Sequence, residues 1–362
     1  MSRNQSLPTD RERKRNLKSL PILGAGLGMA AVSGLLLVFA GGFPGLAGEA
    51  GNAFKVPQGL EALKCPEDNP HDADKAALGQ QLYFDRRLSI DNTVACSDCH
   101  HPDKGWSNGE RFATGVGGKK GGRSAPTILN AAYQTHQFWD GRAGTLEEQA
   151  LGPIQNPIEM NMPLDVLVKK LNEIPGYKKQ FQKVFKTDVT SENIARAIAA
   201  YERTVLCGEA PYDLFKAGDK SALSESAQRG MDLFFGKAHC SACHTGPNLT
   251  DNAFHNVGVS VDAKEPDPGR EVVSKLEGDR GGFKTPTLRE IARTAPYMHD
   301  GSLATLEEVI AHYEKGGTTN DQLDEEIYKL ELSAEDKADL LTFLKEGLSS
   351  KSYPQHKAPQ LP

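Results

Sequence analysis

The stretch RGMDLFFGKAHCSACH, residues 229–244, ends in two cysteines that are separated by two residues and followed at once by a histidine. The stretch LGQQLYFDRRLSIDNTVACSDCHH, residues 78–101, contains the same arrangement. In both stretches an apolar pattern of helical period, with two adjacent aromatic residues, precedes the cysteines. One such motif can arise by chance, but two in the same context indicate a duplicated unit.

The similarity between the two halves continues beyond these motifs. Residues 125–150, APTILNAAYQTHQFWDGRAGTLEEQA, align without a gap on residues 285–310, TPTLREIARTAPYMHDGSLATLEEVI. Two copies are too few for a solenoid, so the pattern predicts two related domains. We place these domains at residues 51–221 and 222–349, followed by a polar tail at residues 350–362. Helical segments lie between the repeats and no run of alternating strands is evident, which predicts a mainly α fold.

The two cysteine motifs have the attachment pattern of haem c. The two thiols bond to the vinyl groups of one porphyrin, and the adjacent histidine ligates its iron. The residues concerned are Cys96, Cys99 and His100 in the first half, and Cys240, Cys243 and His244 in the second. A redox-active cysteine pair and a zinc site are the alternatives, but neither explains why histidine follows directly in both copies. The sequence therefore predicts two covalently bound haem c groups.

The first 50 residues have the composition of an export signal. Basic residues are concentrated in residues 3–18, and residues 22–40 carry no charge. This apolar stretch is just long enough to span a bilayer, so a cleaved signal and an N-terminal membrane anchor are both open. In either case the chain after about residue 50 is expected in the periplasm or another extracytoplasmic compartment. The net charge of -6 argues against a nucleic-acid partner.

Two further cysteines, Cys65 and Cys207, stand alone in the sequence. An oxidising compartment would permit a disulfide between them. Two separate thiols are equally compatible with the sequence.

Residues 138–160, FWDGRAGTLEEQALGPIQNPIEM, and residues 295–313, APYMHDGSLATLEEVIAHY, complete a pattern that resembles the bacterial dihaem cytochrome c peroxidases and their MauG-like relatives. The resemblance covers residues 70–347. It implies two duplicated, mostly helical cytochrome c-like domains, each enclosing one haem c. It also implies that the N-terminal haem reduces hydrogen peroxide with electrons from a redox protein donor. The alternatives are MauG-like oxidation of side chains on a partner protein and a dihaem electron carrier without turnover.

The resemblance assigns roles around the first haem. Glu159 matches a distal glutamate that moves a proton between the two peroxide oxygens. Gln149 and Pro153 match other distal positions, on a helix face that they share with Leu146 and Ala150, and Trp139 matches a tryptophan between the two haems. In the familiar peroxidases a histidine caps this haem in the oxidised state, whereas the count from Trp139 places Val116 there. We therefore expect the first haem to be five-coordinate without prior reduction.

The sixth ligand of the second haem has several candidates by residue type. These are His255, Met298, His299, His312 and Tyr313. The repeat aligns Tyr313 with Pro153 on the inward face of the helix, and His312 lies about 100 degrees off that face. In the family this position is methionine in the peroxidases and tyrosine in the MauG-like proteins. Tyr313 is therefore the predicted ligand, and an anionic oxygen should lower the reduction potential of this haem.

Two further expectations come from the resemblance. It implies a calcium ion between the domains, bound partly by the backbone carbonyls of Thr294 and Pro296. An asparagine that contributes in the peroxidases is replaced here by Ser124. MauG has a tryptophan two residues before its second cysteine motif, where this chain has Ala238. The particular substrate of MauG is therefore not expected for this chain.

Overall fold

The computed structural model describes residues 55–362, so the predicted export segment lies outside the described residues. Within them, the α-helices are α1 (Ala73–Tyr83), α2 (Cys96–Cys99), α3 (Leu146–Gln155), α4 (Leu164–Asn172), α5 (Pro175–Phe185), α6 (Ser191–Glu202), α7 (Pro211–Lys216), α8 (Glu225–Phe235), α9 (Glu271–Ser274), α10 (Leu306–Glu314) and α11 (Ala334–Thr342). A π-helical turn, Phe343–Gly347, continues α11. Short 3₁₀ turns occur at Arg86–Leu88, Pro102–Lys104, Val116–Gly118, Ala131–Tyr133, Cys240–Ala242, Glu277–Asp279 and Ile291–Arg293.

Regular strand structure in residues 55–362 consists of one short antiparallel pair. Strand β1 (Phe254–His255) pairs with β2 (Phe283–Lys284). The prediction of a mainly α fold is therefore confirmed. Over the same residues, no helix combines the length and the apolar character that crossing a membrane requires.

In each half, the helix before the cysteine motif crosses a later helix at a glycine. Helix α1 packs on α6 in the first half, and α8 packs on α11 in the second. A Cβ atom at Gly79 would lie 1.8 Å from the carbonyl oxygen of Ala197. A Cβ atom at Gly230 would lie 2.0 Å from the carbonyl oxygen of Asp339. Both crossings bring one helix so close to the backbone of the other that only glycine fits, and both glycines occupy the same place in the repeat.

The second part of the repeat also folds alike in the two halves. Phe138 and Met298 both adopt left-handed backbone conformations, with φ of 68° and 74°. Helices α3 and α10 then begin after Thr145 and Thr305, whose side chains accept hydrogen bonds from backbone N–H groups in the first turn. These features are equally spaced in the two halves, so the sequence repeat is a repeat of structure.

The buried apolar residues form separate clusters in the two halves. One cluster in the first half runs from Leu78 to Ile198, and the cluster of the second half runs from Phe234 to Leu348. A third cluster, in the first half, is rich in aromatic residues and includes Trp106. The described residues 55–362 nevertheless belong to one compact unit. The domain boundary at residues 221–222 therefore stays a prediction.

The C-terminal tail returns to the first half of the molecule. The Trp106 indole N–H donates to the carbonyl oxygen of Pro354 at 3.0 Å. Arg87 donates to the carbonyl oxygen of the last residue, Pro362, at 3.1 Å. The segment that the sequence predicted only as a polar tail thus connects the end of the second half to the first cysteine domain.

The two isolated cysteines are separate thiols in this structure. Both are free, and Cys207 is buried. The Cys207 thiol donates to Oε1 of Glu290 at 3.3 Å. The structure therefore has two separate thiols at Cys65 and Cys207 and not a disulfide between them.

A buried ion pair joins α7 to the second half. Arg289 and Asp213 are 3% and 2% exposed, and Nη1 of Arg289 lies 2.7 Å from Oδ2 of Asp213. Arg289 also donates to the carbonyl oxygens of Gly59 and Pro247. Removing the guanidinium leaves the carboxylate buried without its counter-charge, which is costly in a low-dielectric interior.

We expect Arg289→Met to lower the free energy of unfolding by about 3–5 kcal/mol, because it leaves a buried charge unpaired. Urea unfolding of the haem-loaded protein, followed by circular dichroism, measures this change. Lys237→Met is the control, since it removes an exposed pair with Asp336 and should cost less than about 1 kcal/mol. Equal losses in the two variants would contradict the importance given to the buried pair.

Candidate haem sites

A cavity opens beside the first cysteine motif. Its volume is about 1220 Å³ when the solvent at its mouth is included, and Cys99 and His100 lie on its wall. Nδ1 of His100 donates to the carbonyl oxygen of Pro126 at 2.9 Å, which leaves Nε2 available for a metal. Burial lowers the pKa of His100 and so favours the neutral form that ligates metals.

A second cavity, of about 1430 Å³ on the same measure, lies beside the second motif. Cys240, Cys243 and His244 all line it. Nδ1 of His244 donates to the carbonyl oxygen of Leu249 at 3.1 Å, and burial lowers the pKa of this histidine as well. The second motif thus repeats the geometry of the first.

The groups that line the two cavities fit haem c in their chemistry. The second cavity is lined by two free thiols and by a histidine whose Nδ1 is already bound, and its wall is largely apolar. The first cavity is lined by the free thiol of Cys99 and by a histidine bound in the same way, and the free thiol of Cys96 belongs to the same motif. Covalent haem attachment requires this combination of groups. The fold and the two sites therefore define a dihaem c-type cytochrome.

Trp139 lines both cavities. Its indole N–H donates to the carbonyl oxygen of Ser124 at 2.9 Å. Its own carbonyl oxygen accepts a hydrogen bond from the backbone N–H of Lys284 at 2.8 Å. The indole is thus held by both halves of the chain at the place where the two sites approach each other.

The predicted distal residues meet on the wall of the first cavity. Gln149, Pro153 and Glu159 all line it. Oε1 of Glu159 accepts a hydrogen bond from the Asn156 amide at 2.6 Å, and desolvation raises the pKa of Glu159. Ala150 is the exception on the predicted inward face, because it packs into the apolar core instead.

The loop that follows the first cysteine motif passes close to Glu159. The backbone N–H of Val116 donates to the carbonyl oxygen of Glu159 at 2.8 Å, and Val116 is buried away from the cavity wall. A Cβ atom at Gly115 would lie 2.0 Å from the carbonyl oxygen of Ile158, so only glycine allows this approach. Among residues 55–362, His100 is the one histidine on the wall of the first cavity.

The candidates for the sixth ligand of the second haem differ in their positions. Tyr313 lines the second cavity, whereas His312 does not. His312 is buried, and its Nε2 donates instead to the carbonyl oxygen of Val257 at 2.8 Å. As helix geometry predicted, Tyr313 lies on the cavity wall and His312, one residue earlier, lies outside it.

The remaining ligand candidates also line the second cavity, but the two histidines are engaged elsewhere. His299 stacks on Phe283, with 3.6 Å between the ring centroids, and burial lowers its pKa to about 4. His255 is bonded through both ring nitrogens to carboxylates, those of Asp251 and Asp324. Met298 has a left-handed backbone in the turn before α10.

The structure also shows two buried titratable groups that the sequence interpretation missed. Glu202 lines the first cavity, and burial raises its pKa to about 8. Lys284 lines both cavities, and burial lowers its pKa to about 8. The helical period places Glu202 on the same face as Ile194 and Ile198. A carboxylate on this otherwise apolar face is the sequence feature that could have indicated a buried acid. Lys284 lies in a short strand between two loops, where the sequence carries no comparable pattern.

The predicted calcium ligands lie on the connection before α10. Thr294 lies against Gly105 of the first half, because a Cβ atom at Gly105 would be 2.7 Å from Thr294 Cγ2. In residues 55–362 the one group of three acidic, histidine or cysteine ligand atoms is Cys243, Asp251 and His255, of which Cys243 belongs to the second cysteine motif. A calcium site at Thr294 and Pro296 would therefore depend on carbonyl oxygens and stays a prediction.

Comparisons with known proteins agree with this class of protein. The family described as di-haem cytochrome c peroxidase matches residues 73–221. The methylamine utilization protein MauG of Methylorubrum extorquens is 41% identical over 286 residues, which cover 78% of this chain and 81% of that protein. Cytochrome-c peroxidase IdrP1 of a Pseudomonas species is 38% identical over 334 residues, covering 84% of this chain and 88% of that protein.

A solved structure supports the same assignment. A MauG-like protein associated with microbial copper homeostasis is 33% identical, with a TM-score of 0.79 over 84% of this chain and 99% of that chain. The chain belongs to the dihaem cytochrome c peroxidase family, which confirms the resemblance, the fold class and the prediction of two haem c groups. By this membership it is an oxidoreductase of the peroxidase type.

Proposed function

We propose that this protein reduces hydrogen peroxide to water at the first haem site, with electrons from a redox protein donor and without prior reduction of the second haem. The observation that carries the proposal is the wall of the first cavity. Glu159 and Gln149 face this cavity, and His100 is the one histidine on its wall in residues 55–362. When bound, haem c would supply the iron centre at which electrons from the donor reduce peroxide.

Glu159 is the group proposed to move the proton. Cleavage of the O–O bond requires a proton to pass from the near to the far oxygen, so that water can leave. Desolvation raises the pKa of Glu159, which makes its carboxylate a stronger proton acceptor than an exposed one. The Asn156 amide fixes one carboxylate oxygen, and the Gln149 amide offers a further polar contact on the same wall.

Trp139 is proposed to couple the two haem sites. It lines both cavities, and its main-chain carbonyl and indole N–H are both hydrogen bonded. An indole is among the more readily oxidised side chains, so its position suits the passage of electrons from the second site to the first. This role rests on placement and on the family resemblance together.

Tyr313 is proposed to hold the iron of the second haem together with His244. Its place on the cavity wall supports this assignment over His312. An anionic oxygen stabilises ferric iron more than a thioether does, so the second haem should have a low reduction potential. Such a haem is suited to sharing oxidising equivalents with the first site.

The setting of the enzyme is also a proposal. We infer export to the periplasm or another extracytoplasmic compartment, with residues 22–40 as the signal or the membrane anchor. Calcium at the carbonyls of Thr294 and Pro296 would join the connection before α10 to the first half.

MauG-like oxidation of a partner protein is the second candidate function. Similarity to MauG and the tyrosine at position 313 favour it. MauG has a tryptophan at the position of Ala238, through which it reaches its protein substrate. Ala238 argues against that route here, because this residue is buried on the wall of the second cavity and has no oxidisable ring. Peroxide reduction with an external electron donor therefore remains the better supported function.

Steady-state assays distinguish a peroxidase from an electron carrier without turnover. The haem-loaded protein is mixed with hydrogen peroxide and a reduced c-type cytochrome, and the consumption of both is followed. A peroxidase consumes two electrons for each peroxide and turns over many times. An electron carrier oxidises the cytochrome without consuming peroxide catalytically, and that result would exclude the proposal.

A further inference from the structure

Three buried aromatic side chains pack together beside the first cysteine motif. The ring centroids of Tyr83 and Tyr201 are 5.1 Å apart. Trp106 lies 6.1 Å from Tyr83 and 6.5 Å from Tyr201. All three side chains are at most 2% exposed. They therefore form a continuous aromatic group, here called the aromatic triad, and no reaction step proposed above uses it.

The triad contacts the first haem motif directly. The Tyr83 hydroxyl donates to the carbonyl oxygen of His100, the predicted iron ligand, at 2.8 Å. Cys96, one of the two predicted attachment thiols, packs against the same cluster. The triad therefore begins at the backbone of the residues that hold the first haem.

The C-terminal tail supplies the polar partners of the triad. Nδ1 of His356 lies 3.0 Å from the Tyr201 hydroxyl. The His356 ring also packs edge-on against Trp106, with 5.4 Å between the centroids. Pro354 accepts the hydrogen bond from the Trp106 indole. The tail therefore covers the apolar surface of the triad and also places an imidazole nitrogen beside the Tyr201 hydroxyl.

The three aromatic side chains differ in what can accept their protons. The Tyr83 hydroxyl and the Trp106 N–H both donate to backbone carbonyls, which are not bases at ordinary pH. The Tyr201 hydroxyl instead faces an imidazole nitrogen, and burial lowers the pKa of His356 and so favours its neutral, proton-accepting form. Oxidation makes a phenol strongly acidic, so a tyrosine beside a base is the one most easily oxidised.

We propose that Tyr201 and His356 form a proton-coupled redox site. When no external donor is available, this site gives one electron to the first haem site after that site has been oxidised by peroxide. The proposal rests on the peroxidase function, since hydrogen peroxide is the oxidant. One hydrogen peroxide takes up two electrons and two protons to give two waters. Tyr201 supplies one of these electrons, its O–H bond breaks, and the proton passes to Nδ1 of His356.

The products are a neutral phenoxyl radical at Tyr201 and a protonated His356, while one oxidising equivalent remains at the haem sites. Tyr83 and Trp106 provide the packed contacts through which the electron passes, without losing a proton themselves. A later electron from a reduced donor restores the phenol, and the proton returns from His356. The tail therefore gives the first half a site that stores one oxidising equivalent away from the peroxide cavity.

The test is electron paramagnetic resonance of the full-length, haem-loaded protein, frozen after mixing with hydrogen peroxide in the absence of donor. We expect a tyrosyl radical signal that narrows when the protein contains ring-deuterated tyrosine. Tyr201→Phe should abolish this signal. His356→Asn should reduce it by at least about tenfold, because it removes the proton acceptor but keeps a polar side chain.

Tyr177→Phe is the matched control. Tyr177 is a buried tyrosine whose hydroxyl donates to a carboxylate, that of Asp85, but it lies outside the triad. Its loss should leave the radical signal unchanged. Haem absorbance and circular dichroism show whether each variant is folded, and His356→Asn tests the proposal independently if Tyr201→Phe is not.

Two results overturn the proposal. One is a tyrosyl signal of unchanged size in Tyr201→Phe, which would place the radical elsewhere. The other is normal peroxide reduction with donor but no tyrosyl radical without it, which would leave the peroxidase function intact. Failure to reduce peroxide under any condition would instead remove the peroxidase function and this proposal together.

Discussion

Replacing Glu159 with glutamine is expected to lower kcat/KM for hydrogen peroxide by about 10²–10⁴-fold, because a positioned proton acceptor is lost while the shape of the cavity is kept. Oxidation of a reduced c-type cytochrome by peroxide measures this change. Glu110→Gln is the control, since Glu110 is an exposed acid on the neighbouring loop and should not affect the rate. Haem absorbance confirms that both variants carry two haem groups.

The pH dependence of the same rate tests the role of Glu159 more specifically. The carboxylate form accepts the proton, so kcat/KM should rise with pH through the pKa of Glu159. Desolvation raises this pKa, which places the acid limb of the profile above the ordinary value of 4.5. The limb should disappear in Glu159→Gln. A variant that keeps most of its activity, or an unchanged acid limb, would show that another group moves the proton.

The second large effect is expected at Tyr313. Tyr313→Met replaces the proposed anionic oxygen ligand by a thioether, which should raise the reduction potential of the second haem by on the order of 100 mV, well within the range of about 0.8 V that axial ligands span. Spectroelectrochemical titration measures the potential. The low-spin resonance signal of the second haem should change in parallel, while the high-spin signal of the first haem remains.

His312→Gln is the control for this assignment. His312 lies next to Tyr313 but donates to the carbonyl oxygen of Val257 and does not line the cavity. The variant should therefore leave both haem signals in place. If His312→Gln altered the second haem and Tyr313→Met did not, the two residues would have to exchange their assigned roles.

Much of the fold and of the site could be predicted because the deciding signals are local in sequence. Each cysteine motif fixes its two thiols and its histidine within a few residues, and the repeat then aligned Tyr313 with Pro153. Trp139 and Glu159 depended on the family resemblance, since neither residue type indicates a haem pocket by itself. The structure brings these residues to the walls of the two cavities.

Features that depend on contacts between distant segments could not be predicted. Trp106 and Pro354 are separated by 248 positions in the chain. No local sequence pattern therefore predicts that the tail covers the aromatic triad. Gly79 also depends on a distant contact. A glycine inside a helical pattern only weakens the prediction of a helix. The need for glycine at this position is visible only where the two helices cross.

Stopped-flow mixing of the fully oxidised protein with stoichiometric hydrogen peroxide tests whether the first haem site reacts with peroxide without prior reduction. His100 is the one histidine on the cavity wall in residues 55–362. The family resemblance predicts Val116 at the position where the familiar peroxidases have a capping histidine. We expect an immediate haem absorbance change whose rate is proportional to peroxide concentration. An oxidised protein that stays unchanged until one electron is added would contradict it.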